Sequence, residues 1–289
     1  MSINIGETLR FFRTHLGLKQ KEMLSEYTDG SVYSRIETDT RPLKLDELLD
    51  ILDVGSINAH EFVTFSHLDK EQRLFRKLLS EAAQNLSHKQ KKESLISYYN
   101  KLSNLGYRNI RETSNLILIK LSFSEHWEEI DAVDQEEVDK MFRYLMERKI
   151  LLQYDYVLLS NLMFKFSGKQ KRLIVERAFP VKYYEKRDYI TLNFSCNALT
   201  NVVTSCLYNK EFEDAKRYLE TCDKQEKTIF NFQFHLEVKY LKNLLAYLET
   251  GNINYLQKIH SFIAVLEDSG YLEQAENIRE EVKTFTHAP

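Results

Sequence analysis

The sequence predicts an all-α protein built as a small five-helix head followed by a larger, tetratricopeptide-like helical repeat domain. Its 289 residues include only 8 Gly and 3 Pro, whereas average usage would give roughly twenty and fourteen. An all-β fold would need more turn residues than that. Apolar residues also recur with the period of a helix, and no alternation of β-branched residues lasts long enough to indicate a sheet.

The predicted head occupies residues 1–66. The helix-breaking residues Gly17, Gly30, Pro42 and Gly55 divide it, which leaves room for about five short helices. The remaining chain, residues 67–289, has longer helical patterns and few breakers. The helices expected there span residues 69–86, 89–105, 108–123, 134–148, 152–166, 169–178, 188–207, 211–222, 224–250, 254–266 and 272–285.

Short links join several of these helices into predicted hairpins. One pairs residues 194–207 with 212–219, and another pairs 230–248 with 253–266. The small residues Ala215 and Ala275 resemble those in the second helix of tetratricopeptide repeats. A plain solenoid of helix pairs or an irregular bundle explains the same residues, so these alternatives stay open.

Composition narrows the class of protein. The net charge is −3, and the cysteines at 196, 206 and 222 lack metal-ligand spacing, which favours free thiols in a reducing cytosol. No apolar run has the length of a signal peptide or a membrane span. The sequence has no zinc-protease, P-loop, nucleophile-elbow or dinucleotide-binding motif. We therefore expect a cytoplasmic protein that is not an enzyme and needs no metal or cofactor.

Two segments of the head have the order and spacing of a helix-turn-helix motif. Residues 18–24 and 31–37 are followed by a loop that ends at Pro42 and by a helix with Asp46 in its first turn, where the helix dipole favours an acid. They resemble the second and third helices of phage-repressor and XRE-type DNA-binding domains. In that class the third helix enters the major groove, and the N-terminus of the second helix faces phosphates.

The motif implies which residues contact DNA. Gln20 and the amide groups of the second helix would bind phosphate oxygens, and the first residues of the third helix would face base edges. The predicted DNA-binding residues are Lys19, Gln20, Lys21, Ser31, Val32, Ser34, Arg35, Arg41 and Lys44. Because serine reads bases weakly and Val32 offers only contact with a thymine methyl group, we expect modest specificity from each half-site.

Two further positions of the motif have structural roles in the repressor class. An Arg late in the first helix pairs there with the Glu that closes the third helix, and Arg13 and Glu37 match those positions. The resemblance thus implies a structural salt bridge. Tyr33 stands where a buried apolar residue is usual, so we expect it in the core with its hydroxyl at the rim.

Charge is distributed unevenly along the head. Residues 1–44 carry seven Lys or Arg and six Asp or Glu, and residues 45–66 carry five acids and no Lys or Arg. All the cations lie in the part that would face DNA, where local phosphate contacts matter more than net charge. Because a single head would bind weakly, we expect a dimer on an inverted-repeat operator of double-stranded DNA.

Segments across the chain resemble the Rgg/PrgX branch of peptide-pheromone-responsive regulators. They are residues 31–33, 37–42, 47–48, 197–200, 236–242 and 252–253. The resemblance implies a homodimer or tetramer whose repeat domain binds a short signalling peptide on its concave face and thereby controls transcription. Some members link subunits through a cysteine after the head. Leu45 stands at about that position, which implies no such disulfide here.

Polar residues on the inner helices are the candidates for binding this peptide. An asparagine amide both donates and accepts hydrogen bonds, as a peptide unit does. The candidates are Asn161, Asn193, Asn197, Asn201, Asn231 and Lys239. A polar stripe that is merely solvated explains the same residues. Phe230, Phe232 and Phe234 are expected in the core rather than in a pocket.

Two functions are compatible with these observations. The first is a DNA-binding transcription regulator of the quorum-sensing type, controlled by a bound peptide. The second is a helical-repeat adaptor for a partner protein, in which the head serves only dimerisation.

Overall fold

The computed structural model describes residues 5–24, 29–66, 69–226, 229 and 231–286. Within these residues the chain forms fifteen α-helices and two short 3₁₀ helices, with no strand, so the predicted all-α class is confirmed. The chain divides into two compact units, Met1–Lys91 and Lys92–Pro289. The first unit runs beyond the predicted head and takes in the helix that follows it, and a domain boundary after residue 66 stays a prediction.

The first unit contains the expected short helices. They are α1 (Ile5–His15), a 3₁₀ helix (Gln20–Met23), α2 (Gly30–Glu37), α3 (Leu45–Val54), α4 (Ala59–Phe65) and α5 (Lys70–Gln84). The 3₁₀ helix stands where an α-helix over 18–24 was expected. Its backbone bond from Glu22 N to Lys19 O, 2.9 Å long, has the i to i+3 spacing of that tighter geometry.

The head has its own small core. Its buried members come from every helical segment of the head and from the loop between α3 and α4, and they are Leu9, Met23, Tyr33, Ile36, Ile51, Leu52, Ile57 and Phe62. Helix α1 crosses the end of α2 very closely at Gly6, where an added Cβ would lie 2.2 Å from the Ile36 carbonyl oxygen. Gly6 N also donates to Asp39 Oδ1 at 3.1 Å. Only glycine fits this crossing without movement of the backbone.

The second unit is a succession of longer helices. They are α6 (Lys89–Ser103, which begins in the first unit), α7 (Ile110–Phe123), α8 (Gln135–Glu147), α9 (Gln153–Leu162), α10 (Gly168–Ala178), a 3₁₀ helix (Tyr184–Lys186), α11 (Tyr189–Tyr208), α12 (Phe212–Glu226), α13 (Phe232–Thr250), α14 (Ile253–Asp268) and α15 (Leu272–Thr286). Within the described part of the chain, no helix is both long and apolar enough to cross a membrane.

One predicted helix is wrong. A single helix over 224–250 was expected, but α12 continues to Glu226 and α13 begins only at Phe232. The Asn231 side chain accepts a hydrogen bond from Phe234 N at 3.0 Å and so satisfies an amide that has no partner within the helix. An asparagine ahead of an apolar run is a start signal that periodicity alone does not register.

The predicted hairpins are formed. Helix α11 packs against α9, α12 and α13, while α14 packs against both α13 and α15. Ala215 of α12 and Ala275 of α15 are fully buried, as expected for small residues where helices pack closely. The three cysteines are buried free thiols, and burial raises the pKa of Cys196 to about 12. Stacked helix pairs thus build the core of this unit.

Candidate functional site

A hydrogen-bonded network connects the first three helical segments of the head. The Glu37 carboxylate, 6 % exposed, accepts Arg13 Nε at 2.5 Å and Gln20 Nε2 at 2.8 Å. Arg13 Nη1 donates to the Leu18 carbonyl oxygen at 2.9 Å. The salt bridge that the motif implied is therefore formed. It ties the C-terminal end of α2 to α1 and to the segment between them.

The pKa of Glu37 shows which influence dominates in this network. Burial by itself would raise the pKa of this carboxyl, but hydrogen bonds from Arg13 and Gln20, together with the Arg13 charge, lower it below its usual value. Glu37 is therefore ionised at neutral pH, as a charged and fully paired group should be.

Tyr33 lies in the head core, as expected, but its hydroxyl does not lie at the rim. The whole side chain is 0 % exposed, and the hydroxyl oxygen is buried as well. Burial raises the pKa of Tyr33 above its usual range, so the phenol stays neutral. The expectation of an exposed hydroxyl is wrong because this face of α2 turns directly toward the core.

The opposite face of α2 is open. Ser31 and Arg35 are exposed, and Ser34 is half-buried. These positions lie three and four residues apart and so share one face of the helix. Val32 is half-buried because it packs partly against the head core. An exposed helix face of this kind is what entry into a major groove requires.

Asp29 is a residue that the sequence interpretation missed. Its Oδ1 accepts Val32 N and Ser31 Oγ, both at 2.8 Å, so it caps α2 and orients the Ser31 hydroxyl. The hydrogen bond from the Val32 amide has the largest effect in lowering the pKa of Asp29, and the hydrogen bond from the Ser31 hydroxyl has the next largest lowering effect. An acid three residues ahead of Val32 was a signal for a helix start.

Two groups expected to bind phosphate are occupied within the head. Gln20 Nε2 donates to Glu37, and Lys19 N donates to Glu22 Oε2 at 2.7 Å. The ammonium groups of Lys19 and Lys21 are on exposed side chains. The exposed side chains of Lys19 and Lys21 therefore stay the predicted phosphate contacts of this segment.

Arg41 and Lys44 also differ in whether their charge is paired within the head. Arg41 Nη2 lies 2.7 Å from Glu47 Oε1, and this bond, with one from the Lys44 amide, lowers the pKa of Glu47. The charge of Arg41 is thus balanced inside the head. Lys44 is exposed, which leaves Lys19, Lys21, Arg35 and Lys44 as the predicted DNA-binding cations whose charge is presented outward.

A groove of about 500 Å³ opens in the second unit, lined by residues of α11, α13, α14, α15 and the link between α14 and α15. Its walls combine apolar side chains, carboxamides, hydroxyls and two acids. The lining residues are Asn201, Thr204, Phe232, Gln233, Leu236, Glu237, Tyr240, Leu241, Phe262, Leu266, Tyr271, Gln274, Asn277, Ile278 and Glu281. A volume of several hundred Å³ with apolar walls and a few polar groups is typical of a ligand site.

The six predicted peptide-binding residues do not come together in this groove. Asn201 lines it, and Asn201 Nδ2 donates to the Ser160 carbonyl oxygen at 3.0 Å. Asn193 Oδ1 accepts Asn231 Nδ2 at 3.1 Å, so these two amides partly satisfy each other. Asn197, half-buried, and Lys239, exposed, are not among the lining residues. Spacing placed three asparagines on one face of α11 but did not show how much of that face is covered.

Asn161 has a different environment. Its Nδ2 atom is buried and has no hydrogen-bond partner among the described residues, although Asn161 does not line the groove. A buried amide donor without a partner is costly.

The aromatic residues at the start of α13 also depart from expectation. Phe232 is 68 % exposed and lines the groove, while Phe234 is buried in the core, as expected. The core placement expected for Phe232 is wrong because residues two apart on a helix point in different directions. The side chain of Phe230 lies outside the described residues.

Three groove residues that carry acid or hydroxyl groups were not expected. The Tyr240 hydroxyl donates to Glu281 Oε2 at 2.6 Å. Burial raises the pKa of Glu237 to about 7, and the Glu281 carboxyl adds to this rise. Burial also raises the pKa of Glu281. The sequence offers no signal for this cluster because α13 and α15 are separated by a whole helix.

These two units define a class of protein: an exposed recognition helix in a helix-turn-helix head, and a helical repeat unit with a groove. The family model of the HTH-type transcriptional regulator Rgg, C-terminal domain, matches residues 83–280. The chain therefore belongs to the Rgg family of transcriptional regulators, which is not a class of enzymes. No curated protein matches the chain in sequence.

Solved structures share the fold over nearly the whole chain. The SHP pheromone receptor Rgg2 of Streptococcus dysgalactiae is 18% identical, covers 97% of this chain and 99% of its own, and has a TM-score of 0.74. A bacterial peptide pheromone/receptor complex is 18% identical, with full coverage of both chains and a TM-score of 0.79. The PrgX/cCF10 complex is 20% identical, covers 99% of this chain and 93% of its own, and also has a TM-score of 0.79. At these identities the likeness shows the fold.

Proposed function

We propose that the chain is a dimeric, cytoplasmic transcription regulator that binds an inverted-repeat operator through its head and a short signalling peptide through its groove. The observation that carries this proposal is the presence of an exposed recognition-helix face and an open apolar groove in one member of the Rgg family. A ligand-controlled regulator requires both features.

Support for the DNA site comes from the surface around α2. Ser31, Ser34 and Arg35 share an exposed face, and the Arg13–Glu37 salt bridge fixes the helix that carries them. The exposed cations Lys19, Lys21 and Lys44 flank this face in the chain. In this proposal the lysines contact phosphates and the α2 face contacts base edges, with Arg41 supporting the loop from inside the head.

Support for the peptide site comes from the groove and from the matched structures. Leu236, Phe262 and Leu266 offer apolar contacts, and the carboxamides of Asn201, Gln233 and Asn277 can both donate to and accept from a peptide backbone. Two of the matched structures are pheromone complexes. Asn201 is the predicted peptide-binding residue that the groove supports best, and Asn161, Asn193, Asn197, Asn231 and Lys239 stay predictions.

Selection of duplexes from a randomised pool tests this function. The full chain should enrich inverted repeats whose half-sites lie ~34 Å apart or a multiple of that distance. A mixed pool of synthetic apolar octapeptides should then change the affinity for the selected duplex. If the chain enriches no duplex but still binds a partner protein, the result would favour the adaptor function over the regulator function.

A further inference from the structure

The groove holds two carboxyls that no cation compensates. Glu237 and Glu281 both line it, and the lining includes no Lys, Arg or His. Among the ion pairs of the described residues, none involves either carboxyl. Two other poorly exposed acids do have cations: Glu37 pairs with Arg13 at 2.5 Å, and Glu137 pairs with Lys120 at 2.8 Å. The two groove acids lack the counter-charge that Glu37 and Glu137 have.

Glu281 is nevertheless held in place, because the Tyr240 hydroxyl donates to Glu281 Oε2 at 2.6 Å. Near Glu237 the buried Thr200 hydroxyl acts against the rise in the pKa of that carboxyl. The pKa of each carboxyl is raised, chiefly by burial, which means that burial disfavours the charged form at both positions. A cation brought in by a ligand would reverse that penalty, because an opposite charge favours the ionised acid.

The surrounding walls restrict what else the ligand carries. Phe232, Leu236, Phe262 and Ile278 present apolar surface, and the carboxamides of Gln233 and Gln274 flank it. An apolar peptide suits these walls, while an acidic one would meet like charge in a poorly solvated site.

We propose that the groove selects an apolar peptide that carries a cationic group, and that this group binds between Glu237 and Glu281. The cation is a lysine or arginine side chain or a free amino terminus. This inference rests on the proposed function, because it specifies the ligand of the same groove. An acidic peptide is selected against.

Binding of defined peptide pools to the full chain tests the inference. Each pool consists of octapeptides of mixed Leu, Val, Ile and Ala with one fixed Lys, Leu or Glu residue, and each is made with a free and with an acetylated amino terminus. A preference for the fixed-Lys pool in both forms assigns the cation to a side chain. A preference for free over acetylated pools, whatever the fixed residue, assigns it to the amino terminus. We expect a gain of about tenfold in affinity from the cation, the scale of one charge-assisted hydrogen bond.

Variants locate the effect. In the double variant Glu237→Gln, Glu281→Gln the ratio of cationic to neutral binding should fall to about one, whereas Glu273→Gln, which alters an exposed acid on α15 outside the groove, should keep the wild-type ratio. Thermal melts test whether both variants fold. If the double variant does not fold, the comparison of peptide pools on the wild-type chain still decides the question.

Two other outcomes overturn the inference in distinguishable ways. If the acetylated Leu or Glu pool binds wild type as tightly as the cationic pools, the cation preference is wrong and the peptide site stands. If no pool binds, the proposed peptide site fails and the inference fails with it.

Discussion

Arg13 Nε lies 2.5 Å from Glu37 Oε1, and this salt bridge joins the first helix of the head to the last residue of the recognition helix. Gln20 donates to the same carboxylate at 2.8 Å. This buried acid therefore helps to fix the orientation of α2, and with it the direction in which Ser31 and Arg35 face.

Glu37→Gln should destabilise the head. The change removes the negative charge that balances Arg13, whose side chain is 13% exposed. Leaving one member of a poorly solvated ion pair without its counter-charge costs roughly 2–3 kcal/mol of stability. Urea unfolding followed by a probe in the first unit measures the loss. Glu61→Gln, an exposed acid on α4, is the matched control and should change stability by less than about 0.5 kcal/mol. Equal effects from the two variants would show that the pair does not hold the head together.

Gly6→Ala should destabilise the same unit for a different reason. The added Cβ would lie 2.2 Å from the Ile36 carbonyl oxygen, so α1 and the end of α2 must move apart. We expect a loss of roughly 2 kcal/mol or more in the free energy of unfolding. Gly30→Ala is the control, because a Cβ there meets nothing within 4 Å. A Gly6→Ala protein as stable as Gly30→Ala would contradict the close crossing.

Glu237 should make the stability of the second unit depend on pH near neutrality. Its pKa is raised from 4.5 to about 7 in the folded chain, so the folded state binds the additional proton between these values. This contribution is complete below about pH 4.5 and is lost as the pH rises through about 7. Glu281 of α15 is the acid that faces Glu237 and shares this titration, whereas the hydroxyls of Thr200 of α11 and Tyr240 of α13 do not ionise in this range.

Melting temperatures of wild type and Glu237→Gln across this pH range measure the effect. Glutamine does not ionise, so the variant should lose less stability than wild type between about pH 5 and pH 8. Glu273→Gln should follow the wild-type curve. Parallel curves for wild type and Glu237→Gln would mean that Glu237 is ionised in the folded chain throughout this range.

The sequence predicted more of the head than of the groove, because the head contains a known motif with fixed spacing. Arg13 and Glu37 could be paired in advance because a known helix-turn-helix pattern fixes both positions. The rotation of α2 about its axis decides whether the Tyr33 hydroxyl reaches the surface, and the pattern does not specify that rotation. Periodicity likewise gives a helix face but not its packing partner.

The groove shows the same limit more strongly. Asn201 was predicted and lines the groove, but Asn193 and Asn231 bond to each other, and Lys239 lies outside the lining. Glu237 and Glu281 come together only because α13 and α15 both pack against α14. Contacts between residues so far apart in the chain leave no local pattern to read.

The salt dependence of duplex binding tests the central claim, that the exposed face of α2 and its flanking lysines bind DNA. Affinity of the full chain for its selected duplex should fall as salt rises, and the log–log slope should weaken by about one for each phosphate contact that Lys21→Ala or Lys44→Ala removes. Lys140→Ala, which removes an exposed cation of α8, should leave the slope unchanged. Binding without salt dependence, or slopes in the Lys21 and Lys44 variants equal to that of Lys140→Ala, would contradict the claim.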